Sequence, residues 1–203
     1  MPEIDLNADL SERPWPDETT SVFCAGDPSR DLAWIPQTAS QWHRYADGYK
    51  EAADRLYQSW CQISSDDLVF PLVFLYRQYI ELRLKELLQS VANLLDLPKN
   101  WECSHNMEDL WRRLRSRLQS ASPEQPERDF DNAERLILEL QARDPISMGF
   151  RYPEDKHGKR HLEDMQHLDV VNFFTAMQQL SAFLDGASMA ISVWLDHKRN
   201  ATR

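Results

Sequence analysis

At 203 residues the chain suits one domain with an appendage, and its net charge of −10 excludes a protein that coats nucleic acid generically, since phosphate affinity needs a basic face. A mean hydropathy of −0.62 indicates a water-facing surface, and the longest apolar stretch, Leu68 to Tyr76, is too short to cross a bilayer. Cys24, Cys61 and Cys103 are widely spaced and form no CxxC pair, which fits a reducing compartment and argues against a zinc knuckle.

Residues 1–40 carry Pro2, Pro14, Pro16, Pro28 and Pro36 among scattered acids and keep no helical or strand period. An extended N-terminal arm is expected there, with a helical bundle over 41–203. Trp15, Phe23 and Trp34 favour docking of parts of the arm over a wholly disordered tail. The acidic, proline-containing start is unlike a signal or transit peptide, so the expected location is the cytoplasm, without membrane contact.

From Trp42 the apolar positions Tyr45, Tyr49, Ala52, Leu56 and Trp60 step by three or four, which predicts an amphipathic helix. Ser64 to Asp67 then signal a helix start, with Pro71 in the first turn, where its missing N–H costs little. This second helix, running to about Leu95, is apolar nearly all round in its first half and should be the central one. Pro98 and Asn100 end it.

Asn106 or Ser104 caps a third helix with the stripe Met107, Leu110, Trp111, Leu114 and Leu118. Phe130, Ala133, Leu136, Ile137 and Leu140 mark a fourth, stopped at Asp144-Pro145. A loop with Gly149, Pro153 and Gly158 follows. The last helix runs from about His167 into Trp194, with Gly186 marking a kink or a close contact. No strand pattern appears, and the predicted fold is an all-α bundle of about five helices.

Three features could carry chemistry. Arg77, Glu81 and Lys85 recur every four residues on the helix expected to be central. They form either an ion-pair ladder at the bundle edge or a charged groove wall. The long loop gathers Arg151, Tyr152, Lys156, His157, Lys159, Arg160 and His161. It is either a solvated connection or a site for phosphodiester chemistry, with His moving a proton and Arg stabilising phosphate charge. Arg112, Arg113, Arg115 and Arg117 lie off the apolar stripe of the third helix. Their face is either balanced by acids elsewhere or contacts RNA or a partner. The pair Cys103 and His105 is too small a set for a metal, so neither metal nor cofactor is expected.

The runs Phe70-Pro-Leu-Val-Phe-Leu-Tyr-Arg-Gln-Tyr-Ile-Glu-Leu-Arg-Leu-Lys, His105-Asn-Met-Glu-Asp-Leu-Trp and Phe150-Arg-Tyr-Pro-Glu-Asp resemble the HEPN superfamily over residues 66 to 195. The resemblance implies a helical bundle, with Glu81 and Lys85 as the acidic–basic helix pair. It further implies a homodimer whose paired Arg-x5-His motifs, here Arg151 and His157, build a metal-independent ribonuclease site supported by Arg77 and Tyr152. Arg160 and His167, with six residues between them, also fit the four-to-six spacing that the resemblance allows, but Arg151 and His157 hold the position between the Phe-Arg-Tyr-Pro turn and the last helix. Two functions follow: a ribonuclease or RNA-binding effector of a prokaryotic toxin or phage-defence system, or a non-catalytic adaptor that binds a protein partner of such a system.

Overall fold

Helical spacing in the sequence becomes five α-helices in the computed structural model, which describes residues 15–23, 32–35, 41–98 and 104–201. They are α1 (Trp42–Ile63), α2 (Val69–Leu94), α3 (Met107–Ala121), α4 (Glu127–Arg143) and α5 (Val170–Ala201), with a 3-10 turn, Asp66–Leu68, leading into α2. The described residues contain no sheet; their one β-pairing is an isolated bridge between Glu154 and Arg160. Cys24 and Cys103 lie outside the described residues, and Cys61 is an exposed free thiol.

The chain divides into two units, residues 1–38 and 39–203. In the first, Asp17 closes a turn by accepting from the Thr19 N–H at 2.8 Å, and Trp15, Phe23 and Trp34 are exposed. The second holds all five helices. No helix among the described residues is long and apolar enough to cross a membrane.

Helix ends follow local chemistry. Asn106 caps α3 by accepting from the Asp109 N–H at 3.2 Å. At the end of α2, Asp96 takes a left-handed conformation (φ 53°), and the Leu97 N–H reaches back to the Ala92 carbonyl at 2.9 Å, the Schellman closure. Lys198 of α5 donates to the Leu94 carbonyl at 2.8 Å and to Asp96 at 2.6 Å, so a cation from another helix covers this C-terminus. Helix α5 starts at Val170, later than the spacing predicts, because the Asp169 side chain accepts from the Asn172 N–H at 2.9 Å. Gly186 is exposed with open space around it, so it marks no close contact.

Helix α2 is the centre of the bundle and packs on α1, α3 and α5, while α4 leans on α3 and α5. Its buried residues run from Leu72 to Ala92, and the whole predicted stripe of α3 is buried against the same core. Polar ties cross this core. Tyr76 of α2 donates to Asp54 of α1, and Gln178 of α5 donates to the same carboxylate at 2.7 Å. Arg83, 5% exposed, faces Asp47, Glu86 and Asp185.

Candidate functional site

The Arg77–Glu81–Lys85 stripe lies in the bundle interior, not at its edge and not along an open groove: Arg77 is fully buried, Glu81 is 2% exposed and Lys85 is 7% exposed. Such charges persist away from water only when each is paired. Glu81 satisfies that demand from three sides. Its Oε2 accepts from Arg77 at 3.1 Å, and its Oε1 accepts from Lys85 at 2.7 Å and lies 2.8 Å from Nδ1 of His105. Burial alone would raise the Glu81 pKa, but the hydrogen bonds and charges of Lys85 and His105 outweigh it and hold the carboxyl below its ordinary range.

Arg77 ties this cluster to two segments distant in sequence. Its Nε donates to the Asp144 carbonyl at 3.1 Å and one terminal nitrogen donates to the His105 carbonyl at 3.4 Å. Asp144, where α4 stops, turns the chain with its side chain: Oδ1 accepts from the N–H groups of Met148 and Gly149, both at 2.9 Å. Gln141 adds a strut, accepting from the Met107 N–H at 2.8 Å and donating to the Pro145 carbonyl at 3.0 Å. The entry to α3 and the exit from α4 are therefore clamped together beside α2.

The turn delivers Arg151, whose guanidinium lies over the rings of Phe74 and Tyr152, 5.3 Å from each centroid. Beyond it the expected irregular loop is a tight hairpin. The His161 N–H meets the Pro153 carbonyl at 3.1 Å, and Gly158 takes φ +78°, a conformation that suits glycine. Asp155 organises the tip by accepting from the N–H groups of His157 at 2.7 Å and Lys159 at 3.0 Å. Those backbone donors, Lys159 first, hold the Asp155 carboxyl below its ordinary range. Lys156, His157, Lys159 and Arg160 are exposed around this tip, and their side chains make no ion pair among the described residues.

Arg151 and His157, paired by the HEPN resemblance, make no contact with each other among the described residues. Arg151 is stacked at the hairpin base, whereas His157 stands at the tip. The basic face of α3 also differs from a free cationic surface. Arg115 meets Glu127, Asp131 and Glu134 of α4, and Arg112 pairs with Glu108 and Asp109, both at 3.2 Å. Arg117 donates to the Leu88 carbonyl at 3.4 Å, and Arg113 is exposed. Of the two basic segments, the α3 face is tied to acids by ion pairs of Arg112 and Arg115, whereas the hairpin cations form none among the described residues.

Sequence reasoning missed Asp144, read only as a helix stop, and Asp155, read only as an acid beside the cations. For Asp155 the available signal was an Asp three residues before Gly158, able to accept from the amide two residues on. It also left His105 out of the site proper, although its position next to the capping Asn106 fixes it to the start of α3. No group of His, Cys, Asp and Glu among the described residues is arranged to hold a metal ion. No protein-family model matches the chain, and comparisons with curated proteins and with solved structures give no match.

Proposed function

We propose that the chain is a HEPN-like effector of a prokaryotic toxin or phage-defence system that binds RNA through the 153–161 hairpin and cleaves it without metal. The observation that carries this reading is the contrast between the two basic segments. In a protein of net charge −10, Lys156, Lys159 and Arg160 are exposed on a hairpin whose own acids are Glu154 and Asp155, and their side chains form no ion pair among the described residues, while Arg115 is held by Glu127, Asp131 and Glu134 of α4. Tyr152, 45% exposed beside Arg151, offers a ring on which an unpaired base can stack. The joining of Glu81 and Lys85 with His105, drawn from two of the three runs that resemble the HEPN superfamily, supports the same assignment.

The adaptor reading is favoured by one specific observation, the separation of Arg151 on its aromatic rings from His157 at the hairpin tip. Incubation with labelled RNA and with DNA of the same sequence, in EDTA, separates the two. Cleavage confined to RNA and indifferent to EDTA is the expected result. RNA bound but never cut would leave an RNA-binding adaptor, and no RNA binding at all would overturn the RNA assignment.

A further inference from the structure

We infer that His105, positioned by Glu81, is the acid–base residue of this chain, and that it takes the 2′-hydroxyl proton of an RNA phosphodiester. The inference rests on the ribonuclease reading above and deepens it by replacing His157 with a different histidine.

The hydrogen bond between Glu81 and His105 has a fixed direction. Glu81 is ionised, held so by Arg77 at 3.1 Å and Lys85 at 2.7 Å, and an ionised carboxylate can only accept. The imidazole nitrogen 2.8 Å away, Nδ1 of His105, must therefore be the donor. A neutral imidazole carries a single N–H, so Nε2 keeps its lone pair. Although the carboxylate is 2% exposed, the His105 side chain is 75% exposed. The result is a base of fixed tautomer whose free nitrogen is accessible from solvent. A carboxylate that sets the tautomer of a surface histidine is what acid–base chemistry requires.

Two further contacts fix the backbone of this histidine. Arg77 donates to its carbonyl at 3.4 Å, and the next residue, Asn106, is the cap of α3. His157 has no comparable support: among the described residues its ring makes no hydrogen bond, so nothing selects its tautomer. Arg77 also donates to the carbonyl of Asp144, at the start of the turn that leads to Arg151. One buried guanidinium thus clamps both the segment with the base and the segment with the phosphate-binding arginine.

The step balances without an added reagent. Nε2 takes the 2′-hydroxyl proton as the 2′ oxygen bonds to phosphorus and the bond from phosphorus to the 5′ oxygen breaks. The leaving 5′ oxygen takes a proton from water, and the resulting hydroxide receives the imidazolium proton. The products are a 2′,3′-cyclic phosphate and a 5′-hydroxyl.

The test is single-turnover cleavage of a fluorescein-labelled, mixed-sequence RNA oligonucleotide by the full chain. His105→Ala and His105→Gln should each lower the rate roughly a hundredfold or more with RNA affinity retained. Added imidazole should restore part of the His105→Ala rate, which a structural role would not allow. Glu81→Gln should lower the rate and remove the downfield Nδ1–H proton resonance. Should that variant fail to fold, ring nitrogen shifts of the wild-type protein carry the same information, and a His105 protonated on Nε2 alone overturns the inference. Wild-type cleavage by His105→Ala, with loss in His157→Ala, overturns it and leaves the ribonuclease reading intact. No cleavage by the wild-type protein overturns the ribonuclease reading, and the role of His105 falls with it.

Discussion

Arg77 is fully buried, yet it is one of the most heavily used side chains in the bundle, reaching Glu81, the Asp144 carbonyl and the His105 carbonyl. Its removal would take one of the three partners of Glu81 and the guanidinium that lies 3.8 Å from the buried Asp144 carboxylate. Arg77→Met should therefore cost about 3–5 kcal/mol in denaturant unfolding, the range for breaking a buried ion pair. Glu81 gives this cluster a pH signature. Its folded-state pKa lies below the unfolded value, so its contribution is fully present above the unfolded value and is lost as pH falls through the depressed one. Stability measured from neutral pH into acid should decline accordingly, and Glu81→Gln should lose less on acidification than the wild-type protein. An equal loss in both would remove Glu81 as the source. At this scale the sequence showed the charged stripe but not its partners. Arg77, Glu81 and Lys85 are visible as a four-residue recurrence, whereas His105 and Asp144 reach them only through the fold.

Helix α3 and the 153–161 hairpin show why density of positive charge is a poor guide at the level of elements. Four arginines mark α3 in the sequence, but α4 is antagonistic in charge where it packs and supplies Glu127, Asp131 and Glu134 to Arg115. Arg115→Ala should cost about 1 kcal/mol of stability, as for a surface ion-pair network, and leave RNA affinity unchanged. A loss of affinity comparable to that of hairpin variants would restore α3 as an RNA contact. In the hairpin Asp155→Ala should act oppositely: it removes the acceptor for the His157 and Lys159 amides, so RNA affinity should fall while the thermal midpoint of the bundle holds. The apolar stripe of α3 was fully legible because one face of a solvated helix must be buried. The start of α5 was not, since His167 and Leu168 keep helical spacing up to the Asp169 cap, and the hairpin lay hidden in a segment without periodicity.

For the molecule as a whole, the all-α architecture followed from periodicity, while the site depended on contacts between α2, the entry to α3 and the exit from α4. The HEPN resemblance implies a homodimer, so light scattering should give twice the 23.9 kDa chain mass at micromolar concentration; the monomer mass alone would contradict pairing. The proposed RNA contact of this acidic bundle is one cationic hairpin. Its most direct test is the RNA affinity of the wild-type protein and of a Lys156→Gln, Lys159→Gln, Arg160→Gln variant, measured across a salt series. Each lost phosphate contact on a single strand lowers the slope of log affinity against log salt by roughly 0.7, so the triple variant should bind more weakly, with a slope shallower by about 2. Identical affinities and slopes for the two proteins would contradict the account.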